Sequence, residues 1–111
     1  MIEDYYKILD KNKELFENAH EIAKEIAIKA RRLFKDCKVY ITGSFARKEH
    51  KLSSDLDILI VSNEIPKKIE FRWYCNIVKA LTEDPRVNIH LVNKEKFKEL
   101  ERLYSPRIEI L

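Results

Sequence analysis

Glycine is nearly missing from this chain, at one residue in 111, and glutamine is missing altogether. The lone glycine, Gly43, has no Gly-Lys-Ser/Thr after it, which excludes a Walker phosphate loop. Only two cysteines occur, Cys37 and Cys75, and their separation fits no metal-binding spacing. A disulfide is not expected of such a pair in a reducing compartment, so both are read as buried thiols. No apolar run approaches the length of a membrane span, and Met1-Ile2-Glu3-Asp4 does not begin a secretory signal. The expected location is therefore cytoplasmic, with no membrane partner. A net charge of +3 is too small to define a nucleic-acid surface, although it favours an approaching polyphosphate. Absent glutamine beside abundant Lys, Glu and Ile resembles the composition of hyperthermophile proteins.

Against these absences stands an ordinary apolar content of 45% in a chain of single-domain length, so residues 1–111 are expected to form one domain with a core. Charged residues make up 37% with both signs interspersed, which describes a solvated surface and not a disordered tail. Leu15, Ala19, Ile22, Ile26, Ala30 and Leu33 recur at helical spacing and predict a helix over 13–34. A shorter helical piece with Ile2, Tyr5, Tyr6 and Leu9 on one side precedes it, either continuous with it or bent near Asp10 to Asn12. Strands are predicted at 38–42, 56–62 and 87–92, the second apolar enough to be central in a sheet. Pro66 opens a helix to about Thr82, with Ile69, Trp73, Ile77 and Ala80 or Leu81 as its buried stripe. A short helix over Lys94 to Leu103 and an edge strand near 107–110 complete a compact α/β domain with a small mixed sheet.

The one glycine falls at the end of the first strand and is followed by Ser44. A residue free of a Cβ is needed where the backbone turns sharply or comes close to another group. After ten intervening residues comes Asp55-Leu56-Asp57, opening the second strand. Side chains alternate along a strand, so Asp55 and Asp57 share a face about 7 Å apart while Leu56, Ile58 and Ile60 take the other. Two carboxylates so placed can share divalent ions, and magnesium suits them because substrate phosphates complete its oxygen shell. Amides and the hydroxyl at Gly43-Ser44 could meet phosphate oxygens, Arg47 could assist, and Lys48, His50 and Lys51 add positive charge in the link to Ser54.

The stretch Gly43-Ser44-Phe45-Ala46-Arg47 through Ser54-Asp55-Leu56-Asp57-Ile58-Leu59-Ile60 resembles the minimal nucleotidyltransferases of the DNA polymerase β superfamily. The likeness extends loosely over residues 38–103. It implies a mixed-sheet α/β fold in which Gly43 and Ser44 bind a nucleoside triphosphate, ATP being the first candidate. Asp55 and Asp57 would be the catalytic carboxylates and would hold two Mg2+ ions. The family moves a nucleoside monophosphate onto a hydroxyl acceptor. In some of its pairs the acceptor is a tyrosine of a small helical partner, and the transferase serves as the antitoxin. A partner chain or self-association is expected here too, with the N-terminal helices offering apolar surface.

Two positions depart from that pattern. The family commonly has glycine after the arginine, where this chain has Lys48, which bears on the conformation of the loop. It also expects a third carboxylate on the third strand, where alternation offers Asn88, His90 and Val92. Asn88 is the nearest equivalent, and an amide supplies neither charge nor a base. His90 could be a ligand or base, or simply a hydrogen-bonded histidine in the sheet. The alternative function is thus an impaired nucleotide- or partner-binding module of the same fold. Phe71, Trp73 and Tyr74 are read as packing, and Lys67, Lys68, Arg72 and Lys79 as a solvated helix face. Glu64, Glu83 and Asp84 are read as loop and cap acids. His20 and His50 are isolated in the sequence and receive no metal role.

Overall fold

A computed structural model of the protein describes residues 2–51 and 54–111. The chain runs α1 (Ile2–Glu17), α2 (Ala19–Leu33), β1 (Cys37–Thr42), α3 (Gly43–Ala46), β2 (Leu56–Ser62), α4 (Phe71–Leu81), β3 (Val87–Asn93), α5 (Lys94–Leu100), a 3-10 turn (Glu101–Tyr104) and β4 (Ile108–Ile110). The strands form one mixed sheet in the order β3-β2-β1-β4. β1 is antiparallel to both β2 and β4, whereas β2 and β3 are parallel. A parallel pair needs a crossover, and α4 provides it.

Alternation sorts the sheet into two faces. Val39, Ile41, Leu56, Ile58, Ile60, Val87, Ile89 and Leu91 pack with the Ala23, Ile26, Ala27 and Ala30 stripe of α2 in the main core. Small alanines let the helix approach the sheet closely. Tyr40, Leu59, Val61 and Val92 face the other way, under Phe97 and Tyr104. β2 is covered on both faces, as its apolar sequence requires.

Several boundaries differ from expectation. The N-terminal helices are separate, and the break falls at Asn18, not near Asp10 to Asn12. Asn18 Nδ2 donates to the Glu14 carbonyl at 3.0 Å, the local competition that makes asparagine a helix interrupter. Leu33 is exposed and the stripe continues instead through Phe34. α4 starts at Phe71, five residues after Pro66. Just before that proline Ile65 is fully buried, and its carbonyl accepts from Asn93 Nδ2 at 2.7 Å, which anchors the segment ahead of the helix. Of the expected stripe only Leu81, not Ala80, is buried; Trp73 and Ile77 are half-buried, and Ile69 precedes the helix. The expected last helix ends at Leu100 and tightens into the 3-10 turn. Cys37 and Cys75 are half-buried free thiols and not core residues, and burial pushes the Cys37 thiol up. No helix among the described residues is long and apolar enough to cross a membrane.

Candidate active site

Gly43 follows β1 directly and adopts φ +69, the left-handed region that disfavours side chains. Strand register places Thr42 opposite Asp57, so the turn at Gly43 passes over the Asp57 carboxylate. A Cβ on Gly43 would sit 2.9 Å from Asp57 Cγ and closer still to Oδ2. Both the torsion and the space require glycine. The only glycine in the sequence therefore marks the point where backbone meets carboxylate.

From Gly43 the chain makes one helical turn, α3, and ends it in a Schellman motif. Lys48 N donates to the Phe45 carbonyl at 3.1 Å and Glu49 N to the Ser44 carbonyl at 2.8 Å. Lys48 occupies the left-handed position of that motif at φ 60. The lysine thus takes a left-handed backbone conformation of the kind glycine adopts most readily. Arg47, in the same turn, pairs with Glu49 at 3.2 Å and still lends positive potential to Asp57. The expected link from Lys48 to Ser54 includes Leu52 and Ser53, which lie outside the described residues.

β2 carries Asp57 and Asp55 lies one residue before it, exposed, with Leu56 N tied to the Arg86 carbonyl at 2.9 Å. The parallel register sets Asp57 beside Asn88 and Leu59 beside His90. Asn88 Nδ2 donates to Asp57 Oδ1 at 3.0 Å. His90 Nε2 lies 3.1 Å from the same oxygen and donates to it in the tautomer protonated there. Burial raises the cost of ionising Asp57, but the hydrogen bonds from His90 and Asn88 and the charges of His90 and Arg47 outweigh it. The carboxyl is held below its ordinary range and stays ionised.

The structure thus brings together Gly43, Asp57, Asn88 and His90 and leaves Asp55 at the solvent edge of the group. Among the described residues, no three of His, Cys, Asp and Glu converge as a metal centre. Two neighbours escape sequence reasoning. Thr42 is buried and its hydroxyl donates to the Tyr104 carbonyl at 3.4 Å. The Tyr104 ring stands edge-on to His90 at 5.6 Å and walls the site on one side. Tyr104 arrives from a distant turn, and Thr42, although next to Gly43, gains its hydroxyl partner only through that turn. A cleft of about 820 Å³ opens on the same sheet face over Tyr40, Val61, Phe97 and Arg107, without any of these site residues in its lining.

A glycine turn set against a strand carboxylate on a mixed sheet defines a nucleotidyltransferase-type α/β protein. Residues 23–110 match the nucleotidyltransferase domain family, and the chain belongs to that family. It is similar to a solved structure from Sulfolobus solfataricus, provisionally assigned as a nucleotidyltransferase. The two share 22% identity with a TM-score of 0.57, over 92% of this chain and 84% of the other. At that identity the likeness concerns the fold, which is the polymerase β-like nucleotidyltransferase fold. No curated protein matches the chain.

Proposed function

We propose that residues 1–111 act as a single unit that moves a nucleoside monophosphate from a nucleoside triphosphate, ATP first, to a hydroxyl acceptor. The observation that carries this reading is the contact between the Gly43 backbone, at φ +69, and the Asp57 carboxylate. Such an approach lets one ligand meet turn amides and a carboxylate together. Gly43, Ser44 and Arg47 would bind and orient the triphosphate, and the turn's rigidity would restrict the phosphate chain to one path.

Asp55 and Asp57 would hold magnesium. Their oxygens fit it, and since no three of His, Cys, Asp and Glu converge there among the described residues, the rest of the shell would come from phosphates and water. When bound, the metal supplies charge neutralisation for the transferred and leaving phosphates. Asp57 is suited to that position because its neighbours keep it ionised. Asn88 and His90 hydrogen-bond its Oδ1 and would orient it, on the strand where the family resemblance implies a third carboxylate. The acceptor would be presented by a partner chain, a helical protein or a second copy. The exposed Ile2, Tyr5, Tyr6 and Ile8 on α1 provide apolar surface for it.

The test is calorimetric titration of ATP and the other triphosphates, with and without magnesium, on wild type and Asp57→Asn. Magnesium-dependent binding that Asp57→Asn loses is the expected result. Equal binding by both proteins would sink the assignment.

A second reading is favoured by one contact. Asn88 Nδ2 occupies Asp57 Oδ1 and brings no charge, as in a module that binds nucleotide or partner with impaired turnover. Asn88→Glu separates the two. If the missing carboxylate limits turnover, labelled-nucleotide transfer rises in this variant. If wild type is already active and Asn88→Glu leaves the rate unchanged, the impaired-module reading is lost and His90→Ala becomes the informative variant.

A further inference from the structure

We infer that Phe16, His20, Phe45 and His50 form an aromatic clamp that positions the Gly43–Ser44 turn, so that the α1–α2 junction is part of the nucleotide site. The inference rests on reading that turn as the triphosphate site.

Phe45 is the third residue of α3, two after Gly43. Its ring stacks nearly parallel on Phe16, the penultimate residue of α1, with centroids 6.2 Å apart and planes at 8°. His20, in the first turn of α2, meets the Phe45 ring edge-on at 5.9 Å. The Schellman motif then folds the chain back, and His50 closes over both phenylalanines, 4.7 Å from the Phe16 ring and 5.1 Å from that of Phe45. Two histidines far apart in sequence thus converge on one ring.

A four-residue helix has too few internal hydrogen bonds to hold itself in place. Its inner side is fixed where Gly43 rests on Asp57, and the ring cluster is the fixture on its outer side. Phe16 is itself buried, so the cluster ties the turn to the core and not merely to another loop. Phe16, His20, Phe45 and His50 are positioning residues, since their ring contacts run to one another.

His50 is the residue to change, because it is exposed and its removal leaves the core intact. Two readouts are taken on wild type, His50→Ala and His50→Phe: amide hydrogen exchange without nucleotide, and magnesium-ATP affinity. In His50→Ala, exchange at Arg47, Lys48 and Glu49 should accelerate, and affinity should fall by up to about tenfold, the order that lost ring pairs convert to. His50→Phe should restore both, because it keeps the ring and removes the imidazole nitrogens. Unchanged exchange in His50→Ala overturns the clamp whatever the nucleotide result. Lost affinity that His50→Phe fails to restore also overturns it, and assigns His50 to direct phosphate contact. Accelerated exchange with no triphosphate bound by wild type overturns the nucleotide reading instead, and with it the clamp's role in binding.

Discussion

Two backbone positions with positive φ bracket the same short helix, and they answer to opposite substitutions. Gly43 needs its bare Cα, since φ +69 and the nearness of Asp57 both resist a side chain. Gly43→Ala should lower stability by about 1–3 kcal/mol in urea titration and abolish nucleotide binding. Lys48 sits at φ 60, in a position that glycine fills at lower cost. Lys48→Gly should therefore raise stability by about 0.5–1 kcal/mol in the same titration, a gain expected from relieved left-handed strain. If Lys48→Gly proves destabilising, the lysine side chain holds the loop by a contact that outweighs its torsion. Gly43 was legible from the sequence because the composition isolates it. The left-handed lysine was legible only as a departure from the family's usual glycine, since nothing in its neighbours announces a Schellman motif.

Among the elements, the parallel pair β2 and β3 decides which side chains meet, and a turn at the start of β3 governs that pairing. Arg86 donates to Asp84 from Nε at 3.0 Å and from Nη2 at 2.8 Å, and its carbonyl receives Leu56 N next to the site. The hydrogen bond from Arg86 holds the Asp84 carboxyl below its ordinary value, against a smaller opposing cost of burial. A depressed carboxyl stabilises the fold above its unfolded value, and the contribution is lost as pH falls through the folded one. The window therefore opens below about pH 4. Asp84→Asn should cost about 0.5–1 kcal/mol at neutral pH, a discounted figure because the pair is partly solvated. Its stability should also vary less with pH below that point, as followed by urea titration at several pH values. An unaltered acid limb would remove this pair from the account. The late start of α4 belongs to the same scale: helical periodicity extends back to Pro66, whereas the fold anchors Ile65 in the core and starts the helix only at Phe71.

At the scale of the whole molecule, ligand binding should be read out by the fold itself. The proposed site joins β1, β2, β3 and α3, so a bound triphosphate would crosslink elements that must separate on unfolding. At a hundredfold excess over Kd, such a ligand adds about 2.7 kcal/mol. For a chain of this size Tm should rise by roughly 10 °C with magnesium-ATP, and Asp57→Asn should lose the rise. No shift in wild type at millimolar nucleotide would contradict the proposal.

What the sequence determined by itself is local or periodic. Alternation predicted Asp55 and Asp57 on one strand face, and of the two only Asp57 lies within β2; the apolar run of β2 put it at the centre of the sheet, and the unique glycine located the turn. These need only a residue and its near neighbours along the chain. Tertiary structure decided what depends on elements meeting. It set Asn88 and His90 against Asp57 through parallel register, left Asp55 at the edge, and brought Tyr104 up to His90. It also gathered His20 and His50, isolated in sequence, around Phe45. A histidine's own surroundings in the chain carry no record of a ring that reaches it across a helix junction, because ring packing follows from how helices and turns dock and not from spacing.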